Sequence, residues 1–178
     1  MSVFEFRPQG IYCPQGDFYI DPWRPVERAL ITHGHSDHAR YGSKKYLCTE
    51  LAAPVIRHRL GEVKIETVPY EKEININGVK ISFHPAGHVP GSAQILAEIK
   101  GERWVVSGDY KVVYDGLSTP FEPIKCHSFI SECTFGLPAF NWLPQKEIFK
   151  EINNWWLQCN REGITPVLAA YGLGKAQR

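Results

Sequence analysis

The sequence has no long apolar run and no strong excess of charge of either sign. No stretch approaches the about 18 uninterrupted apolar residues of a membrane-spanning helix, so we expect no membrane partner. The net charge of +1 at pH 7 excludes a protein that binds nucleic acid through overall basic charge, although it leaves room for a local basic groove. The first ten residues lack the charged and then apolar pattern of a signal peptide, which favours a cytoplasmic protein.

Cysteine is also sparse, with five residues in 178 and no Cys-x-x-Cys spacing. An odd number without paired spacing argues against a disulfide framework and against a four-cysteine zinc site. We therefore expect reduced cysteines packed as small apolar side chains. Because 43% of the residues are hydrophobic and 12% are aromatic, the chain can bury a folded core.

The order of predicted elements is that of an α/β protein. Residues 18–22 and 28–33 read as short buried strands, and residues 49–61 read as a helix with Thr49 as its N-cap. Asn77-Gly78 lies between alternating segments and predicts a hairpin. Apolar residues at helical spacing then predict a helix over 145–161, with the paired tryptophans of that segment in the core and a buried strand over 165–174.

Three of the seven histidines lie within six residues, in the segment ALITHGHSDHARY that begins at Ala29. His33 and His35 are two residues apart and can point to the same side of an extended or tightly looped backbone. Asp37 and His38 are adjacent and project in different directions. Imidazoles and carboxylates are metal ligands, so one loop can serve two ions, with His33 and His35 on the first and Asp37 and His38 on the second.

Two further candidate ligands follow later in the chain. His88 stands between glycines in PAGHVPGS, where little steric bulk surrounds its ring. Asp109 ends the apolar strand WVVSGDY, where an unpaired carboxylate is costly unless it is bound to a cation. Behind the first cluster, these two residues strengthen the prediction of a metal centre.

These motifs resemble the metallo-β-lactamase superfamily, whose hallmark is His-x-His-x-Asp-His followed by a separate histidine and a separate aspartate. The resemblance implies a four-layered αββα sandwich with two divalent ions, usually zinc, at one edge; manganese is the alternative because both ions suit mixed histidine and carboxylate ligands. It implies four roles for individual residues. The first ion would be held by His33, His35 and His88, the second by Asp37 and His38, with Asp109 bridging both and Asp21 orienting a ligand histidine.

The segment SECTFG, with Glu132 as its acidic residue, resembles the motif that opens the β-CASP cassette of nucleic-acid-cutting members. Five strings in order are similar to the bacterial ligase-associated DNA exonucleases: YCPQGDFYIDPWRPVERALITHGHSDHAR, HPAGHVPGSAQI, SGDYK, ECTFGLP and AYGLGKAQR. The resemblance implies a metallo-β-lactamase domain over residues 1–140 and the start of a β-CASP cassette over 141–178. It also implies DNA as the substrate, and an ATP-dependent DNA ligase and a helicase as partners.

Members of that family continue past GKAQR to further histidines, whereas the last histidine here is His127. We therefore expect an incomplete sandwich, a truncated cassette and a weakly held second ion, and the activity of the 178-residue chain stays open.

The resulting hypothesis is an exonuclease that acts on DNA ends in repair, through water activated by two metal ions. Asp37, Asp109 and Glu132 are its candidate catalytic carboxylates, although Glu132 could instead cap a local turn. Arg40, Lys44 and Lys45 follow the cluster and could contact phosphates, or could belong to a plain solvated loop. Two alternatives stay open: a β-CASP ribonuclease that processes RNA, and a non-catalytic fragment or scaffold that binds metal.

Overall fold

The computed structural model describes residues 2–177, so the outer ends of the two predicted domains, Met1 and Arg178, lie outside the described residues. The chain divides into two compact units between Glu132 and Cys133. The predicted boundary after residue 140 falls within the second unit. No helix in the described part of the chain is long and apolar enough to cross a membrane.

The first unit begins with a six-stranded sheet whose strands are ordered as they occur along the chain. The strands are β1 (Glu5–Arg7), β2 (Gly10–Cys13), β3 (Phe18–Ile20), β4 (Arg28–Leu30), β5 (Lys45–Thr49) and β6 (Ile65–Val68). β1 to β3 pair antiparallel, whereas β3 to β6 run parallel. Parallel strands end at the same edge of a sheet, so the segments that follow β4 and β5 emerge on one side.

The second sheet has five strands in the order β11-β10-β9-β8-β7. They are β7 (Ile74–Ile76), β8 (Val79–Pro85), β9 (Ala93–Ile99), β10 (Glu102–Val106) and β11 (Ser128–Ile130). All pairs are antiparallel except β10 with β11. The hairpin predicted at Asn77-Gly78 is confirmed, and both residues have the positive φ, 50° and 85°, that a tight hairpin turn requires.

Apolar side chains from both sheets form one core between them. Phe18 and Ile20 of β3 belong to the same buried cluster as Phe83 of β8. Phe4 packs edge-to-face on Phe18 and on Trp104 of β10, with ring centroids 6.5 and 6.2 Å apart. Full burial of each such side chain stabilises the fold by about 1.5–3 kcal/mol, which fixes the two sheets face to face.

Helix α1 (Ala53–Leu60) covers the first sheet on the face away from this core. Its buried Ala53, Ile56 and Leu60 share a cluster with residues of β4 and β5 that face away from the core between the sheets, such as Tyr46. The helix begins later than predicted, because Thr49 is the last residue of β5 and Ala52 is the N-cap. The Thr49 hydroxyl donates to Gly91 O and accepts the backbone N–H of Ala52 at 3.1 Å, so it binds the turn that leads into the helix. The first unit is therefore a helix–sheet–sheet arrangement of the α/β class, which matches an incomplete metallo-β-lactamase sandwich.

The second unit contains helix α2 (Gln145–Glu162), which ends at Gly163 in the left-handed conformation, so the helix predicted over 145–161 is confirmed. Two other predictions for this unit are wrong. Trp155 and Trp156 are 39% and 49% exposed and so do not form a core. Residues 165–174 form no strand, because they find no partner strand within the described residues and most of them stay exposed.

Candidate metal centre

Histidines and aspartates converge at one edge of the first unit, where strands of both sheets end. His33 comes shortly after β4 in the first sheet, His88 lies in the turn between β8 and β9, and Asp109 follows β10. The backbone N–H of Ala93 at the start of β9 donates to Thr32 O at 2.8 Å, which joins the two sheets beside His33. The topology therefore places side chains from three distant parts of the chain together.

Four side chains offer ligand atoms within 4.8 Å of one another: His33, His35, His88 and Asp109. His33 Nε2 lies 2.8 Å from His35 Nδ1, which lies 3.2 Å from His88 Nε2. Asp109 Oδ2 lies 3.8 Å from His33 Nε2 and 3.5 Å from His88 Nε2. These separations bracket the about 3.3 Å edge of a tetrahedron whose ligands stand about 2.0–2.1 Å from its centre. The donor set and its spacing therefore fit a divalent ion such as zinc.

The other oxygen of Asp109 faces a second group of candidate ligands. Asp109 Oδ1 lies 3.1 Å from His38 Nε2, and Asp37 Oδ2 lies 3.6 Å from the same nitrogen. The Asp37 side chain is 67% exposed, so this second group is open to solvent. One carboxylate thus stands between two sets of donors, which is the arrangement of a bridging ligand.

Asp21 lies behind the cluster and binds two of its supporting groups. Its Oδ1 accepts the backbone N–H of Thr32 at 2.8 Å, and its Oδ2 lies 2.7 Å from His38 Nδ1. With His38 Nδ1–H donating to Asp21, the ring presents Nε2 towards Asp109. Asp21 has a positive φ of 43°, a strained backbone that directs its carboxylate back onto the strand end.

The hydroxyl of Thr32 extends this contact to His33, a role that the sequence reasoning missed. Thr32 Oγ1 donates to Asp21 Oδ2 at 2.5 Å and lies 3.0 Å from His33 Nδ1. Since its hydrogen is used on Asp21, the hydroxyl accepts from His33 Nδ1–H, which leaves the lone pair of Nε2 facing the cluster. The adjacency of Thr32 to the first histidine was the signal that could have indicated this role.

The ionisation of the histidines follows from their surroundings. Burial lowers the pKa of His33 well below its ordinary value of 6.5, and the nearby His38 lowers it further, so the ring is neutral as a metal ligand requires. Burial also opposes charge on His38, but hydrogen bonds to Asp109 and Asp21 outweigh it and raise the pKa of His38 to about 10. In the metal-free protein, a proton on His38 Nε2 therefore holds Asp109 Oδ1.

The pKa of Asp109 is lowered to about 2. Burial opposes its ionisation, but the hydrogen bond from His38 and the attraction of the positive charge on His38 prevail. Asp109 is thus a carboxylate throughout the neutral range, the form in which it can bind a cation.

The three predicted phosphate contacts lie at two different places. Arg40 follows the cluster and its Nε donates to Asp37 O at 3.2 Å. Lys45, however, pairs in register with Arg28 at the start of β5, and Lys44 Nζ lies 2.5 Å from Glu27 Oε1. Because β5 has five residues at about 3.3 Å each, Lys45 is roughly 15 Å from the edge where the cluster lies. The direction of β5 therefore separates Lys44 and Lys45 from the histidine loop that they follow in sequence.

Glu132 follows β11 at the edge where Asp109 follows β10. Val106 of β10 pairs with Ile130 of β11 in a parallel register, so Gly108 and Glu132 are equivalent in position along the two strands. Glu132 is not one of the four side chains that converge.

The turn that presents His88 is held by a serine that the sequence reasoning also missed. Ser92 Oγ accepts the backbone N–H groups of His88 and Val89 at 3.1 and 3.2 Å. The hydroxyl of Tyr70 donates to Ser92 O at 2.9 Å and ties the turn to the segment after β6. Serine four residues after a turn histidine is a weak signal by itself, because serines are frequent in turns.

Known proteins similar to this chain include nucleic-acid enzymes, while no protein-family model matches it. A probable DNA ligase of Opitutus terrae is 32% identical over 172 residues, which cover 94% of this chain and 17% of that protein. The endoribonuclease YSH1 of Saccharomyces cerevisiae is 32% identical over 116 residues, covering 64% of this chain and 15% of the relative. Among solved structures, a Cronobacter sakazakii metallo-β-lactamase HARLDQ motif mutant is 13% identical, with a TM-score of 0.43. The match covers 62% of this chain and 58% of that protein's chain.

The chain thus spans about a sixth of the length of these curated relatives. The similarity to the ligase covers nearly all of the chain, including the segments that contain His33, His88 and Asp109.

Proposed function

Because this chain belongs to the metallo-β-lactamase superfamily, in its β-CASP branch, we propose that it hydrolyses phosphodiester bonds at DNA ends as a metal-dependent exonuclease. The observation that carries the proposal is the position of Asp109, whose two oxygens face two separate sets of ligands. A carboxylate shared in this way suits a pair of divalent ions, which is the arrangement that phosphodiester hydrolysis uses.

In this proposal His33, His35 and His88 hold the first ion, Asp37 and His38 hold the second, and Asp109 bridges them. Two divalent ions, when bound, lower the pKa of water and neutralise charge on the phosphate oxygens. We propose zinc as the ion, with manganese as the alternative, because the donors are mixed imidazole and carboxylate.

The remaining roles belong to side chains of this chain. Asp21 fixes the ring of His38 by accepting from Nδ1, so that Nε2 stays directed at the second set of ligands. Asp37 and Asp109 are the catalytic carboxylates that hold and orient the reacting water. Glu132 stands at the same edge and is the proposed group that holds a proton or orients a neighbouring ligand. Arg40, beside Asp37, is the proposed contact for a flanking phosphate.

DNA is the proposed substrate because a relative named a probable DNA ligase is similar over 94% of this chain. That relative carries the similar region and further sequence in one polypeptide named a probable DNA ligase, which supports a role in DNA repair beside a ligase. An ATP-dependent ligase and a helicase as partners, and a cytoplasmic location, are further parts of the proposal. A ribonuclease is the second candidate, and the similarity to an endoribonuclease favours it.

The test compares end-labelled DNA and RNA of one sequence with the purified chain loaded with Zn²⁺ or Mn²⁺. We expect release of mononucleotides from DNA, and loss of at least about a thousandfold in rate with Asp109→Asn, which keeps the shape but removes the bridging charge. Asp17→Asn serves as the matched control, because Asp17 binds the Tyr12 hydroxyl on a distant hairpin.

Three results would contradict the proposal. Cleavage of RNA alone would favour the ribonuclease. Uptake of metal without cleavage of either polymer would favour a non-catalytic metal-binding scaffold. An unchanged rate with Asp109→Asn would remove the bridging carboxylate from the mechanism.

A further inference from the structure

The guanidinium of Arg59 in α1 donates to two backbone carbonyls of the histidine loop, residues 33–39. Arg59 Nη1 lies 2.6 Å from Gly34 O and 3.4 Å from Ala39 O. Gly34 precedes His35, and Ala39 follows His38, so one side chain joins both ends of the segment that presents these two histidines and Asp37. We infer that Arg59 is a positioning residue for the metal centre, an inference that rests on the proposed function for its catalytic meaning.

Arg59 can hold the loop because the helix that bears it is itself fixed. Ala53, Ile56 and Leu60 of α1 are buried in one cluster that also contains Ala39 of the loop. The spacing of these residues at i, i+3 and i+7 places them on one face of the helix. This packing fixes the distance between the helix and the end of the loop. Arg59, which lies next to Leu60 in the helix, spans that distance.

The loop has few internal bonds of its own. His38 N–H and Ala39 N–H both donate to His35 O, at 3.3 and 2.8 Å, which closes a single turn. Isolated turns of this kind open readily unless other groups hold them. The contact from Arg59 fastens the turn at the carbonyls on either side of it, so the imidazoles of His35 and His38 are presented before any ion arrives.

The chemistry of the side chain explains why arginine stands there. A charged donor on a neutral carbonyl makes a stronger hydrogen bond than a neutral donor does. Both contacts come from one nitrogen, Nη1, whose two N–H groups the planar guanidinium holds in fixed directions. Lysine has the same charge but a shorter side chain and an ammonium that rotates freely, so it holds the two carbonyls less firmly. Glutamine is shorter and neutral and cannot reach from the same helix position.

The first test measures amide hydrogen exchange in the metal-free protein. We expect Arg59→Gln to speed exchange at residues 35–39 by about tenfold or more, with Arg59→Lys intermediate, while amides of β8 and β9 keep their rates. Arg57→Gln is the matched control, because it makes the same change at another exposed position of α1, two residues away. Equal protection of the loop in Arg59→Gln and Arg57→Gln would overturn the inference.

Arg59→Lys keeps the test decisive if Arg59→Gln fails to fold. If Arg59→Lys and Arg59→Ala both exchange at residues 35–39 at the wild-type rate, the positioning role is contradicted. Faster exchange confined to residues 35–39 in either variant would support it.

The second test uses Co²⁺, whose visible absorption reports the geometry of its ligands. We expect Arg59→Gln to weaken Co²⁺ binding by about 10- to 100-fold and to alter the spectrum, Arg59→Lys to recover most of the affinity, and Arg57→Gln to match the wild type. Wild-type binding and spectrum in Arg59→Gln would overturn the inference and leave the proposed function standing. A wild-type chain that takes up no Co²⁺ would instead contradict the proposed function, and the exchange rates would still decide the role of Arg59.

Discussion

At the scale of single residues, the hydroxyl of Thr32 should control metal affinity without touching the ion. It stands between Asp21 and His33 Nδ1, so Thr32→Val keeps the shape of the side chain and removes both contacts. We expect Zn²⁺ binding to weaken by about 10- to 100-fold in Thr32→Val and to stay near the wild-type value in Thr32→Ser. Chelator competition measures both constants.

Tyr12→Phe is the control for the loss of a buried hydroxyl in general, because the Tyr12 hydroxyl also donates to an aspartate, Asp17. If Thr32→Val and Tyr12→Phe bind Zn²⁺ equally well, or if Thr32→Ser is as weak as Thr32→Val, the relay from Asp21 to His33 is not needed.

A buried thiol should make the stability of the fold depend on alkaline pH. Burial raises the pKa of Cys48 to about 12, although Arg57 lowers it slightly, while the unfolded thiol has a pKa of about 9. The folded state then binds the proton more tightly, so this contribution to stability is complete below pH 9 and is lost as the pH rises towards 12. The unfolding free energy should fall by up to about 1.4 kcal/mol per pH unit in that window.

Urea unfolding of the wild type and Cys48→Ala at several pH values isolates this effect, because tyrosines and lysines titrate equally in both proteins. The difference in unfolding free energy between the two should shrink from pH 9 to pH 11. A difference that does not change with pH would mean that the Cys48 thiol titrates normally in the fold.

At the scale of elements, local patterns predicted a turn and a helix correctly, whereas positions that depend on strand pairing were not predicted. The Asn77-Gly78 turn and the α2 helix depend on neighbours in sequence, so turn chemistry and helical spacing were sufficient. Lys44 and Lys45 follow the histidine loop in sequence, yet a chain reversal and the parallel pairing of β4 with β5 return them to the far edge of the sheet. Only the pairing of strands, which is a long-range property, fixes that position.

Contact between distant parts of the chain also determines which residue fits the turn after β10. A side chain in place of Gly108 should not be tolerated there. Gly108 has a φ of 55°, and a Cβ there would lie 2.6 Å from Thr32 Cβ and Oγ1. Gly108→Ala should therefore add a steric cost of about 1–3 kcal/mol to the strain of the backbone and push Thr32 and Asp109 apart. The midpoint of thermal unfolding and the affinity for Zn²⁺ should both decrease.

Gly101→Ala separates the two costs, because Gly101 also has a positive φ, 84°, but a Cβ there meets nothing within 4 Å. We expect it to lose only about 1 kcal/mol and to bind Zn²⁺ as the wild type does. Equal losses in the two variants would show that backbone conformation, and not contact with Thr32, determines the glycine at position 108.

At the scale of the whole molecule, the sequence predicted the set of converging side chains better than it predicted their supports. His33, His35, His88 and Asp109 could be chosen because histidine and aspartate at strand ends are chemically conspicuous. Thr32 and Arg59 could not be chosen, since threonine and arginine occur everywhere and their meaning depends on which backbone atoms lie beside them. A site's ligands are therefore visible as residue types, while its supports become visible only as contacts.

The convergence also means that an ion at the candidate centre would connect the two sheets of the first unit. His33 and His35 belong to the first sheet's edge, whereas His88 and Asp109 belong to the second. An ion that binds only the folded state at 100 times its dissociation constant stabilises that state by about 2.7 kcal/mol. We expect Zn²⁺ to raise the unfolding midpoint of the chain by roughly 5–10 °C, and EDTA to reverse the change.

Variants that each remove one metal ligand show how much of this stabilisation depends on each of the two groups of donors. His88→Ala removes a ligand that joins the sheets and should abolish most of the increase, whereas Asp37→Ala removes a solvent-exposed ligand of the second group and should keep most of it. Circular dichroism melts with and without Zn²⁺ measure the midpoints. An identical midpoint for the wild type in Zn²⁺ and in EDTA would mean that the four side chains hold no ion, and the contact between Ala93 N–H and Thr32 O would then join the sheets at that edge without it.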